Sequence, residues 1–150
     1  MATVQKTAAA GIVTPGELKK LQEERDSAAA REAMEKMRRA KQEQQALHDA
    51  FMKDKIGPQA IERFNAAVRK AAEQGQHEIM IAQFPASWCT DGGRRINNFL
   101  EDWPDSLQGV AKEVYHYHVK NLAPLGYKMR MEVINYSGGV PGDIGIFFRW

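Results

Sequence analysis

The pattern of polar and apolar positions changes character near residue 57. Before it, glutamate, lysine, arginine, glutamine and alanine dominate, with no glycine or proline between Gly16 and Gly57. These are strong helix formers, and the run predicts one long helix over about residues 15–54. Thr14 stands at the N-cap position, Pro15 at the first helical position, and Glu17 closes a capping box. The apolar seam is thin: Leu18, Leu21, Ala30, Met34, Met37, Leu47 and Phe51 lie near one stripe, which Lys41 and Gln44 interrupt. Elsewhere the helix is charged, with Glu32 placed for Lys36 and Glu35 for Arg39, the favourable order. About 40 residues rising 1.5 Å each give about 60 Å, so part of the helix is expected to project from a small domain. A polar helix this long seldom persists alone. The expectation is a partner-binding helix with a narrow seam of coiled-coil type, formed by Met34, Met37, Leu47 and Phe51. Its partner is expected to be a second copy or another protein.

Beyond Gly57 the pattern becomes that of a folded domain. Ile61, Phe64, Val68 and Ala71 or Ala72 recur at helical steps after Pro58, and Gly75 is a stop signal. Residues 78–84, EIMIAQF, are nearly all apolar and read as a strand covered on both faces. A short helix is predicted near residues 94–100. A further helix is predicted to start in DWPDSL, capped by Asp102 or Asp105. It would bury Leu107, Val110, Val114, Tyr117 or His118, and Leu122, and end at Pro124 and Gly126. Residues 127–136 alternate, with Tyr127, Met129, Met131 and Val133 on one face and Lys128, Arg130 and Glu132 on the other. After the turn-forming SGGVPGD, Ile144, Ile146, Phe148 and Trp150 share a face, so the last two strands predict an antiparallel hairpin with a long loop. The helix between the first two strands allows them to pair in parallel.

The predicted class is therefore α+β, with α/β-like order. A long N-terminal helix precedes a small two-layer domain, in which helices cover a mixed sheet of about three strands. The divisions are a disordered tail at 1–13, the helix at 14–55, and a compact domain at 58–150.

Composition changes this picture little. The chain has 150 residues, 43% hydrophobic and 27% charged, the proportions of a globular protein. A net charge of +2, with basic and acidic residues intermixed, argues against nucleic acid or an anionic membrane as the partner. No apolar run has transmembrane length, and residues 1–13 lack the apolar stretch of a signal peptide, so the expected compartment is the cytoplasm. One cysteine, Cys89, excludes an internal disulfide.

That cysteine begins the one stretch with candidate chemistry, CTDGGRR. Cys89 and Arg95 bracket five residues, and Trp103-Pro104-Asp105 follows. The two motifs, about a tenth of the chain, resemble the cysteine–five–arginine signature and the Trp-Pro-Asp acid loop of protein tyrosine phosphatases. The resemblance implies Cys89 as a thiolate nucleophile, Arg95 as the phosphate clamp and Asp105 as the general acid. The family's pattern differs in several respects: its cysteine follows the strand almost directly, where Pro85 to Trp88 intervene here; a hydroxyl residue normally follows the arginine, where this chain has Ile96; in the classical members the acid loop precedes the cysteine; and the sheet expected here is smaller. Without catalysis, Gly92, Gly93, Arg94 and Arg95 before a helix suit a small anion. Two further stretches carry less. In YHYH, His116 and His118 are two apart and diverge on a helix, so no metal site is expected. SGGVPGD lacks the lysine and helix of a P-loop. The expectation is a non-catalytic association protein without a cofactor. The alternative is a phosphatase-like enzyme or anion-binding domain built on residues 89–95.

Overall fold

The computed structural model describes residues 11–150; most of the expected tail at 1–13 lies outside the described residues. Helix α1, Pro15–Lys53, is one continuous element of 39 residues. Its capping box forms as the sequence requires: the Glu17 amide donates to the Thr14 hydroxyl oxygen at 3.2 Å, and the Thr14 amide donates to the Glu17 carboxylate at 3.0 Å. Glu35 pairs with Arg39 at 3.3 Å and with Arg38 at 2.5 Å. The chain divides into two units after Ala46, so the last turns of α1 belong with the compact unit Leu47–Trp150.

Within the compact unit, α2 (Pro58–Glu73) leads into β1 (Glu78–Pro85). A single tight turn, Ala86–Trp88, and the short α3 (Arg94–Asn97) follow. After α4 (Gly109–Tyr117) come β2 (Lys128–Val133), β3 (Tyr136–Ser137), β4 (Val140–Pro141) and β5 (Asp143–Arg149). The α+β class predicted from the sequence is the observed one. The sheet is not mixed, however: its order is β1-β5-β2, and both neighbours run antiparallel to β5. The first and second strands do run the same way, but β5 inserts between them. A parallel pair needs only the helical crossover; with β5 inserted, β5 is hydrogen-bonded on both sides and β1 and β2 each keep one open edge. The loop of the β2–β5 hairpin folds into its own two-stranded ribbon, β3 with β4.

Alternation sorts the sheet as the sequence predicts. Met131, Ile144, Ile146 and Phe148 are buried on one face, against Phe51, Phe64, Val114 and Leu122 from the helices. On the other face the Arg130 guanidinium sits 4.1 Å from the Phe147 ring centroid, and Arg130 is paired with Glu78 and Glu132. β1 departs from expectation. It is an edge strand with Met80, Ala82 and Gln83 exposed, and its register slips between Met80 and Ala82. The extra residue keeps Ile81 packed against the core while it breaks the regularity of the outer edge.

The helix expected to begin in DWPDSL begins later. Trp103–Ser106 makes one tight turn and Leu107 is extended and buried, so α4 starts at Gly109. The Ser106 hydroxyl donates to the Trp103 carbonyl at 2.7 Å and closes the turn locally. Gly109 has φ +56, and a β-carbon there would overlap the Phe51 carbonyl. The helix start and the end of α1 thus approach at a point where only glycine fits. The downstream end of α4 widens into one turn at His118–Leu122 with a π-type hydrogen-bond span.

Candidate functional site

The stretch from Cys89 to Ser106 folds back on itself. Pro85 ends β1, and the Cys89 amide closes the Ala86–Trp88 turn by donating to the Ala86 carbonyl at 3.0 Å. The Thr90 amide then donates to the Ser106 carbonyl at 2.9 Å, which brings the cysteine segment beside the Trp103–Ser106 turn. The two motifs that the sequence singles out are therefore neighbours in space.

The surroundings of Cys89 disfavour a thiolate. Cys89 is 5% exposed and packs in the core cluster with Ala86, Ile96 and Leu107. Burial pushes its thiol up to about 11, the Asp91 charge adds to the rise, and the Ser106 hydroxyl only partly offsets it. A thiol in that condition is protonated throughout the neutral range and has no thiolate to offer. Asp105, the general acid of the phosphatase reading, is exposed on the Trp103–Ser106 turn.

The anion-binding reading meets a different obstacle, which the sequence also contained. The Asp91 carboxylate accepts from the Gly93 amide and from the Arg95 amide, each at 3.0 Å. The amides that could have cradled a phosphate are occupied by the chain's own carboxylate. Arg95 does not reach outward as a clamp; its guanidinium lies 3.3 Å from Asp102 and 4.0 Å from Asp91. Gly93, at φ +86, is buried under Ala86 and Ile144, where a side chain would be strained and crowded. Gly92 and Arg94 are exposed. The loop behaves as an internally capped corner that seats α3 beneath the hairpin, with the Tyr136 hydroxyl donating to the Asn97 side-chain oxygen at 2.5 Å.

The seam residues divide. Met34 and Met37 are 70% and 72% exposed, and Leu47 is exposed too. Phe51 is used within the compact unit: its ring stacks on Phe84 at 5.3 Å and meets Trp88 at 4.7 Å. It packs half-buried against the core, so its ring is engaged within its own unit. Helical spacing alone cannot separate a residue that faces a partner from one that faces its own sheet.

Two features lie outside what the sequence pattern predicts. Phe99 has φ +54 and is 83% exposed, an uncommon place for an aromatic residue at a helix end. A cavity of 390 Å³ lies between α2, α4 and the sheet. The apolar residues Ile56 and Leu125, outside the stripes assigned to helices, are the signal that could have pointed to it. Among the described residues, no group of three or more His, Cys, Asp or Glu side chains is placed to hold a metal ion. No described helix is long and apolar enough to cross a membrane.

No protein-family model matches the chain, and neither a curated protein nor a solved structure matches it.

Proposed function

We propose that this protein is a non-catalytic association module, and that the exposed stripe of α1 joins it to a second copy. The observation that carries this reading is a 39-residue helix without one buried residue that nonetheless exposes Leu18, Leu21, Met34 and Met37. An isolated helix with so polar a surface gains little from tertiary packing, so pairing is the source of stability open to it. From Ala30 the spacing supports a seam: Ala33, Met37, Ala40, Gln44 and Leu47 continue it at alternating steps of three and four. Alanines let two helices approach closely, and Gln44 at a seam position favours one register over others. A single cysteine held as a buried free thiol fits a reducing compartment, so we place the protein in the cytoplasm.

The test is sedimentation velocity on the full chain and on the double variant Met34→Glu, Met37→Glu. The wild type should sediment as a dimer or larger at micromolar concentration, and the variant as a monomer with reduced helix content. A wild type that stays monomeric to the highest concentration, with α1 fully helical, removes self-association and leaves a different protein as the partner to be sought.

A further inference from the structure

We infer that the cavity between α2 and α4 is a binding site for a neutral, mostly apolar small molecule with one hydrogen-bonding end. This inference is independent of the association reading, because every residue that lines the cavity lies within Leu47–Trp150. Its volume of 390 Å³ falls within the usual range for small-molecule sites, about 300–1,000 Å³. Phe148 and Ile81 from the sheet form part of its lining, with Phe64, Val114 and Leu122 from the helical side. None of its lining residues is charged, so a charged ligand would lose its hydration without gaining a counter-ion.

Three polar side chains break the apolar lining. Asn65 comes from α2, Tyr117 from the end of α4, and Asn121 from the wide turn at His118–Leu122. Asn65 and Asn121 are exposed and Tyr117 is half-buried, so their polar ends lie toward the open side of the cavity, hydrated until a ligand enters. Two carboxamides and a phenol, from the two helical segments that line the cavity, supply both donors and acceptors. That set suits a hydroxyl or carbonyl group and gives no counter-charge for a carboxylate. The wide turn is the only π-type turn among the described helices, and single turns of this kind concentrate at functional sites. Exposed Ile61 and Leu125 also line the cavity, which is how an apolar ligand would meet it.

The test uses the full chain with the neutral fluorophore N-phenylnaphthylamine, followed by displacement with decanol and with decanoate. One saturable site per chain is expected, with decanol displacing the probe at least tenfold more effectively than decanoate. Ala60→Trp, which fills the cavity from the exposed side of α2, should abolish the site while leaving the thermal midpoint within a few degrees. Should that variant fold poorly, Leu125→Glu places a charge at the cavity and should weaken probe binding at least tenfold. Probe binding that does not saturate, or that both variants leave unchanged, overturns the inference. Equal displacement by decanoate overturns the neutral-ligand assignment. Loss of the probe site as the chain self-associates would show the cavity to be an interface between copies, and would overturn it as well.

Discussion

The ring of Phe51 stacks on the ring of Phe84, with centroids 5.3 Å apart and planes at 29°. Phe51 lies near the end of the long helix and Phe84 near the end of the first strand, so this contact ties the last turns of α1 to the sheet. Deleting residues 1–46 should leave a folded unit, because the division of the chain falls after Ala46. Deleting residues 1–54 should not, since it removes Phe51 and empties the space beside Phe84 and Trp88. In the full chain, Phe51→Ala should cost less than the about 3–5 kcal/mol of a fully buried aromatic, because Phe51 is half-buried against the core. Urea unfolding followed by tryptophan fluorescence measures both effects. Equal stability after the two deletions would refute the assignment of Phe51 to the core.

Gly109 meets the same end of α1. A β-carbon at this position would overlap the Phe51 carbonyl, and φ is +56. Gly109→Ala should therefore destabilise by more than the cost of adding a methyl group to a crowded core, about 1–3 kcal/mol. Gly138 has a similar φ, +58, but open space around it. Gly138→Ala bears only the backbone strain and should cost distinctly less. Equal losses at the two sites would mean that the close approach to Phe51 is absent in solution.

Cys89 makes a prediction about pH. Its folded-state value, about 11, lies above the ordinary 9.0. Between those values the unfolded chain has released the thiol proton and the folded chain still holds it. Stability from this group is therefore complete below about pH 9 and declines as pH rises toward 11. Cys89→Ala should flatten that part of the stability–pH curve without altering the curve at pH 7–8. In the native wild type, iodoacetamide should label Cys89 at a rate limited by opening of the fold. Rapid labelling at pH 7 would restore a reactive thiolate and with it the phosphatase reading.

Much of this architecture is legible because it is written locally. Thr14 and Glu17 mark a helix start by their own hydrogen bonds, and Met129, Met131 and Val133 declare a strand face by alternation. What was not legible depends on partners distant in sequence. β5 between β1 and β2 is a pairing of segments far apart, which no local pattern specifies. Phe51 follows Leu47 on the same helical stripe, and only the position of Phe84 and Trp88 makes it pack against the core. Gly109 reads as an ordinary residue in a helix until the backbone of Phe51 is found against it. At the candidate loop, the spacing of Cys89 and Arg95 was visible, but the burial that keeps the thiol protonated comes from Leu107 and the helices.

Asp91 offers the sharpest test of the 89–95 loop, because one carboxylate holds two of its amides. Accepting from Gly93 and Arg95 at 3.0 Å each, it does for α3 what a capping residue does for a longer helix. Asp91→Ala should cost about 1–2 kcal/mol, the upper part of the capping range, since Asp91 also faces the Arg95 guanidinium. Asp91→Asn keeps one acceptor oxygen and should recover part of the loss. With the carboxylate in place, inorganic phosphate should leave the Gly93 and Arg95 amide resonances unmoved in a titration of the wild type. In Asp91→Ala those two amides lose their acceptor beside the positive charge of Arg95, and phosphate at millimolar concentration should shift them. A phosphate response in the wild type equal to that in the variant would mean that Asp91 does not fill the loop, and the anion-binding reading would stand again.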